Sequence, residues 1–304
     1  MDSSTPWIFN ESSKSSSSSF PSHDDGDDDE SEKDTVVSVE LLSSGIIQAS
    51  NNHNFNSVAY VSVLNSSLVD KFSKPLRNGM TMLELNEGER LNVPCATFVL
   101  ILKPWERISF CKSTSKIDHD YIDTLSFQLK SHPDPKGMSQ LKIPKLEGFP
   151  LRRNGKKFVC TQGFGGRLTH FFPESYHAVD FRCSEGTEVL AVSDGIITDV
   201  TEDCEIKGIH CENLGHWNSI SLKMDNGFTA DYVHIMPKSS RVKVGQRVCV
   251  GETLCLSGTI GFCPEPHLHF EIHRNDHLRG PSVLFEFETF NKEIVRMPVA
   301  GVEY

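Results

Sequence analysis

The stretch Pro266–His273 (PHLHFEIH) concentrates ionisable side chains at a period of two. On a strand, successive side chains alternate faces, so His267, His269, Glu271 and His273 share one side and Leu268, Phe270 and Ile272 the other. Two imidazoles at i and i+2 can converge on one metal ion, or one can bind it while the other moves protons. A polar strand face that happens to carry histidines satisfies the same pattern. Other segments add to it. TQGFGGRLTHFFPESYHAVDF (161–181) sets His170 and His177 ahead of Asp180, and TADYVHIMP (229–237) carries His234 at the end of a further apolar run. A His/His/Asp set leaves the fourth tetrahedral position of zinc open for water, which marks a catalytic rather than a structural site. Structural zinc more often recruits cysteine, and none of these segments sets a Cys beside its His.

The elements that must position these groups read as strands. Residues 36–42 (VVSVELL), 57–64 (SVAYVSVL), 96–103 (ATFVLILK), 108–113 (ISFCKS) and 125–129 (LSFQL) are short and rich in β-branched or aromatic residues. Asn, Ser, Gly and Pro separate them, which predicts a small sandwich-like domain over 35–130. From about residue 148 glycine becomes more frequent. GTEVLAVSDGIITDV (186–200) and GQRVCVGETLCLSG (245–258) share one shape: Gly, an apolar run, a small-residue turn and a second apolar run. That shape suggests a duplicated β-hairpin unit. Amphipathic helical periodicity is nearly absent, so the expected class is all-β. The expected organisation is a disordered Ser-rich and acidic tail over 1–34, the β-rich domain over 35–130, a Pro- and Lys-rich linker over 131–147, and a second β domain over 148–304.

Charge and composition narrow the partners. The 304 residues carry a formal charge of −11, and residues 1–34 hold ten acidic and two basic side chains, leaving −3 for the remainder. A chain with no basic block is not expected to bind nucleic acid. No apolar stretch approaches about 20 residues, so no membrane span is expected. The first residues lack a basic start followed by an apolar run, which makes a cytoplasmic location the default expectation. Nine cysteines without a C-x-x-C are expected to be mostly reduced. The segment 202–216 is longer than a simple connection. Its Cys204, His210, Cys211 and His216 make either a surface loop, with a Cys204–Cys211 bridge under oxidation, or a separate metal clip.

Residues 158–275 resemble the lysostaphin/LytM-type zinc endopeptidases, β-sheet metallopeptidases of the duplicated hybrid motif fold. The resemblance lies in QGFGG-RLTH, in YHAVDF followed by EGTEVLAVSDGIITDV, in GHWNSISLKMDNGFTADYVHI, and in VKVGQRVCVGETLCLSGTIGFCPEPHLHFEI, in that order. It implies one zinc ion per chain and hydrolysis of peptide bonds in peptidoglycan cross-links or Gly-rich peptides. His269 then resembles the metal ligand of the H-x-H, His267 and His234 the two catalytic histidines, and Asp180 the carboxylate ligand. One family pattern, H-x-G-x-D, puts Tyr176 at the first ligand position with His177 one residue off, and a one-residue slip turns a strand side chain to the other face. A second pattern sets the histidine ten residues before the Asp, and Thr169-His170 fits that spacing. His170 is therefore the expected ligand, with His177 as the alternative. Asn218 falls where the family carries a Gly-Asn pair, although Trp217 intervenes. Glu271 is either an outer partner that fixes an imidazole tautomer or a solvated carboxylate.

A different class remains open: a non-catalytic peptide- or glycan-binding module of the same fold that retains a metal site. Candidates for all three ligands and both catalytic histidines favour the enzyme. A lipoyl- or biotinyl-type carrier fails on detail, because the turn Ser193-Asp194-Gly195 has no lysine to modify. The sequence leaves open the oligomeric state, the substrate, and whether 35–147 inhibits, positions substrate or is only structural.

Overall fold

A computed structural model describes residues 7–9, 36–64, 66–84, 90–140, 142–274 and 280–304. The chain divides into two units, one of residues 1–131 with 209–212 and one of residues 132–208 with 213–304. Among the described residues no helix is long and apolar enough to cross a membrane.

The first unit contains β1 (Trp7–Phe9), β2 (Val37–Leu41), β3 (Ile46–Asn51), β4 (Ser57–Leu64), β5 (Leu68–Val69), β6 (Gly79–Glu84), β7 (Arg90–Leu102), β8 (Arg107–Ser113) and β9 (Ile122–Gln128). Strands β6-β7-β4-β9 form one sheet, with β1 parallel beside β7, and β2-β3-β8-β5 form another. Val37, Ile47, Ala49 and Cys111 of the second sheet pack with Ala59, Val61, Val63, Phe98, Leu100 and Leu102 of the first. Alternate residues of each strand thus supply one shared core, the arrangement of a sandwich. Of the expected tail, Trp7–Phe9 are described, as strand, while residues 1–6 and 10–34 lie outside the described residues.

The second unit contains β10 (Cys160–Gln162), β11 (Val179–Arg182), β12 (Glu188–Leu190), β13 (Gly195–Thr201), β14 (Lys207–Gly208), β15 (Ser219–Met224), β16 (Phe228–Val233), β17 (Arg247–Val248), β18 (Thr253–Leu256), β19 (Gly261–Phe262), β20 (His267–Arg274), β21 (Phe287–Glu288) and β22 (Ile294–Val295). Its main sheet runs β10-β11-β20-β16-β15-β13-β17. The two similar segments meet as a duplication requires. Strand β12 of the first pairs with β18 of the second, and β13 of the first pairs with β17 of the second. One face of the sheet is apolar, with Phe181, Leu268, Phe270, Ile272, Tyr232 and Leu222 all but fully buried. The hydroxyl of Tyr232 accepts the Val192 N–H at 3.0 Å, so the largest polar side chain of that layer has a partner.

Of the segment 131–147, expected as linker, His132 and Leu146 pack on this unit. Leu146 is in its core and its N–H donates to the Glu286 carbonyl at 2.8 Å, and His132 Nε2 lies 2.7 Å from the Ser282 carbonyl. Pro and Lys composition signals a lack of regular structure, and irregular chain packs as well as strand when its polar groups find partners.

Candidate metal centre

The register of four strands assembles the polar face of the sheet. Asp180 on β11 is paired with His269 on β20, Glu271 with Asp231 on β16, and Asp231 with Ser221 on β15. Because β20 alternates, His267, His269, Glu271 and His273 stand on this face while Leu268, Phe270 and Ile272 hold the strand to the core.

His170 Nε2, Asp180 Oδ1 and His269 Nδ1 form a near-equilateral triangle. The three edges are 3.1 Å (His170 to Asp180), 3.2 Å (His170 to His269) and 3.0 Å (His269 to Asp180). Ligands at about 2.0–2.1 Å from a tetrahedral zinc lie about 3.3 Å from one another, so the triangle has nearly the size such an ion needs. The tautomers agree. His170 Nδ1 lies 3.0 Å from the Gly163 carbonyl, which can only accept, so the ring proton sits there and Nε2 offers a lone pair. His269 Nε2 lies 3.3 Å from the Glu271 carboxylate, an ion-pair distance, and a ring proton held on that side leaves Nδ1 as the electron-pair donor. With the His269 proton on Nε2, three lone pairs point at one place, where a cation satisfies them together. The donor set fits a divalent metal such as zinc.

Gln162 on β10 ties the triangle to the loop before it. Its Nε2 donates to Asp180 Oδ2 at 2.9 Å, and its Oε1 accepts the Leu168 and Thr169 N–H groups at 2.9 and 3.0 Å. One amide thus fixes the unused carboxylate oxygen and the turn that presents His170. It stands in the Q-G-F-G-G run, yet nothing in residue spacing distinguishes it from a turn residue.

His177, the alternative ligand, lies elsewhere. Its Nδ1 is 3.1 Å from the Ser282 carbonyl, and its ring meets His132 edge-on at 4.6 Å between centroids. Burial first, with His132 adding, lowers its pKa to about 4, so it packs as a neutral ring.

His267 and His234 stand beside the triangle. His267 Nδ1 is 2.7 Å from the Glu265 carbonyl, and its Nε2 is 3.6 Å from Asp180 Oδ1. His234 follows the last residue of β16, where strict alternation would point it into the core. A left-handed backbone (φ +64°) turns it back to the polar face, 4.7 Å from the His267 ring centroid and 6.0 Å from that of His269. Its Nδ1 lies 2.5 Å from the Ile260 carbonyl. Burial, then the neighbouring imidazoles His267 and His269, pushes its pKa down to about 3. It is therefore neutral, with an unprotonated Nε2.

Electrostatics favour a full negative charge among these rings. Burial alone would raise Asp180, but His170 and His267 hold it well below the usual carboxylate range. Burial also opposes charge on His269, and the Glu271 and Asp180 carboxylates outweigh it and lift the metal-free ring to about 10.

The insertion residues do not form a clip among the described residues. Cys204 and His216 lie in the second unit while His210 and Cys211 belong to the first, and His210 Nε2 contacts Asp123 at 3.0 Å. All nine cysteines are free. Asn218 is fully buried and bridges the Cys204 backbone, donating to its carbonyl at 2.9 Å and accepting its N–H at 3.0 Å.

Strand order, duplicated hairpins and a His/Asp/His triangle flanked by two further histidines together make one candidate metal centre on a β-sheet domain. The model of Peptidase family M23 matches residues 174–281. Among curated proteins the chain is similar to an uncharacterized metalloprotease of Haemophilus influenzae. The two are 33% identical over 106 residues, which is 35% of this chain and 20% of that protein. It is also similar to the glycyl-glycine endopeptidase ALE-1 of Staphylococcus capitis, 35% identical over 98 residues, 32% of this chain and 24% of that protein. The match thus spans about a fifth to a quarter of the length of these relatives. Among solved structures, the catalytic domain of lysostaphin from Staphylococcus simulans is 26% identical, with 42% of this chain and 86% of that chain covered and a TM-score of 0.31.

Proposed function

We propose that the chain is a zinc-dependent endopeptidase that hydrolyses peptide bonds in glycine-rich or peptidoglycan cross-link peptides. The observation that carries this reading is the convergence of the His170 Nε2, Asp180 Oδ1 and His269 Nδ1 lone pairs beside two further imidazoles. The glycyl-glycine activity in the name of the Staphylococcus capitis relative supports the substrate class.

In this reading His170, Asp180 and His269 hold the ion. A zinc ion there would supply Lewis acidity, lowering the pKa of water toward about 7 and polarising a scissile carbonyl. The chain's own groups handle the protons. His267 is the general base: its Nδ1–H is committed to the Glu265 carbonyl, so Nε2, which faces Asp180, takes the proton of the attacking water and returns it to the leaving amine. His234 has its Nδ1–H on the Ile260 carbonyl. Its neutral Nε2 accepts a hydrogen bond from that water and orients it, a role that suits a ring unable to donate at that atom.

The test measures zinc content and cleavage of pentaglycine peptides and purified peptidoglycan by the full chain. About one zinc per chain with turnover is expected. His269→Ala should lose both, and His267→Ala should keep zinc while turnover falls about 10²–10⁴-fold. A fully zinc-loaded chain that binds these substrates without cleaving them would replace this reading with the binding module.

A further inference from the structure

Behind the triangle lies a row of buried and half-buried polar side chains that the proposed chemistry does not use. Glu271 sits between two imidazoles on its own strand, with Oε2 3.3 Å from His269 Nε2 and Oε1 3.3 Å from His273 Nε2. His273 Nε2 also lies 3.5 Å from Asp231 Oδ2 on the neighbouring strand, and its Nδ1 lies 2.8 Å from the Gly280 carbonyl. The Nδ1 of His273 thus faces a carbonyl and its Nε2 faces two carboxylates, whose negative charge favours the doubly protonated ring. Asp231 is fixed from its far side by the Ser221 hydroxyl, which donates to Oδ1. Ser221, Asp231 and Glu271 are register partners across β15, β16 and β20. His273 is 6% exposed, so its charge is balanced by these carboxylates and not by water.

We propose that His273 is a positioning residue for the metal centre: clamped by Asp231 and Gly280, it holds Glu271 against the Nε2 edge of His269 and so keeps the His269 Nδ1 lone pair aimed at His170 and Asp180. The argument is one of charge and geometry. A carboxylate so little exposed is costly unless paired. Without His273, Glu271 keeps one imidazole beside it and is free to turn toward solvent, and His269 then loses the carboxylate beside its Nε2. Outer partners of this kind change metal affinity by about 10–100-fold. The inference rests on the reading of His170, Asp180 and His269 as the metal ligands.

Cobalt(II) binding to the full chain tests it, because cobalt gives both an affinity and a spectrum. In the wild type two hyperfine-shifted imidazole N–H resonances are expected, one from His170 Nδ1–H and one from His269 Nε2–H. His273→Leu should weaken cobalt binding about 10–100-fold and broaden the His269 resonance by faster exchange with water, leaving the His170 resonance sharp. His273→Arg restores a cation beside Glu271 and should recover most of the affinity. Asp231→Asn, on a different strand, should shift both readouts in the same direction as His273→Leu and guards against a variant that fails to fold. Wild-type affinity and two sharp resonances in His273→Leu or Asp231→Asn would overturn the proposal. A wild-type chain that binds no cobalt, or gives no shifted imidazole resonance, would overturn the ligand assignment itself and the proposal with it.

Discussion

At the scale of single residues, the site is held as much by its outer contacts as by its three candidate ligands. The Gly163 carbonyl and Glu271 select the lone pairs of His170 and His269, and Gln162 restrains Asp180. Gln162→Ala removes the donor to Asp180 Oδ2 and frees the 168–170 turn at once. It should weaken zinc binding about 10–100-fold, as read by competition with a chelator, while Gln162→Glu should be worse than its size suggests because it sets a second carboxylate against Asp180. Unchanged zinc affinity in Gln162→Ala would mean the loop holds His170 unaided. His267 and His269 were legible in the sequence because H-x-H on a strand shares a face, whereas His170 and His234 came from other segments and the family resemblance. Gln162 and Asp231 were not, since a glutamine in a glycine-rich turn and an aspartate on a strand have no signature until their partners are in place.

At the scale of elements, alternation explains most of the site and breaks at two points. Strand β20 needs only its period of two to divide metal chemistry from core. His234 needs a left-handed residue after β16, and His170 needs the irregular turn after β10. Gly163 in that turn passes so close to Pro298 that a Cβ would collide with the Pro298 carbonyl. Gly163→Ala must therefore shift the backbone whose carbonyl orients His170. The expected cost is about 1–3 kcal/mol of stability together with a loss of zinc affinity, measured by thermal melting with and without added zinc. A variant that melts and binds zinc like the wild type would show that the turn has slack. The duplicated hairpins were readable as two similar strings, but their pairing was not. That β12 meets β18 and β13 meets β17 follows from how the two copies fold over one core.

At the scale of the whole molecule, the buried histidines divide into two groups with opposite effects on stability. His132, His177 (about 4) and His234 (about 3) are held neutral chiefly by burial. Unfolded, each titrates near 6.5, so the unfolded chain binds more protons in acid and stability falls as pH drops below about 6.5. His269 (about 10) and His273 (about 9) are held charged by their carboxylates in spite of burial. Their contribution is complete below about 6.5 and is lost as pH rises toward 9 and 10. The metal-free protein should accordingly melt highest near pH 6.5 and lower on both sides. Saturating zinc should flatten the alkaline limb, because the ion replaces the proton of His269. A metal-free melting temperature that is flat between pH 5 and 9 would contradict the assigned protonation states.

The sequence by itself determined the all-β class, the second domain's family resemblance and the strand face that carries His267, His269, Glu271 and His273. These depend on local alternation and on short motifs, which the order of residues encodes directly. Tertiary structure decided the rest. His170 meets Asp180 and His269 while His177 turns to the Ser282 carbonyl, Leu146 joins the core of the second unit, and Glu271 finds His273 and Asp231 as neighbours. Each of these depends on which distant segments share a surface. Such contacts arise only when the sheet buries its apolar face and brings β10, β11, β15, β16 and β20 into one register.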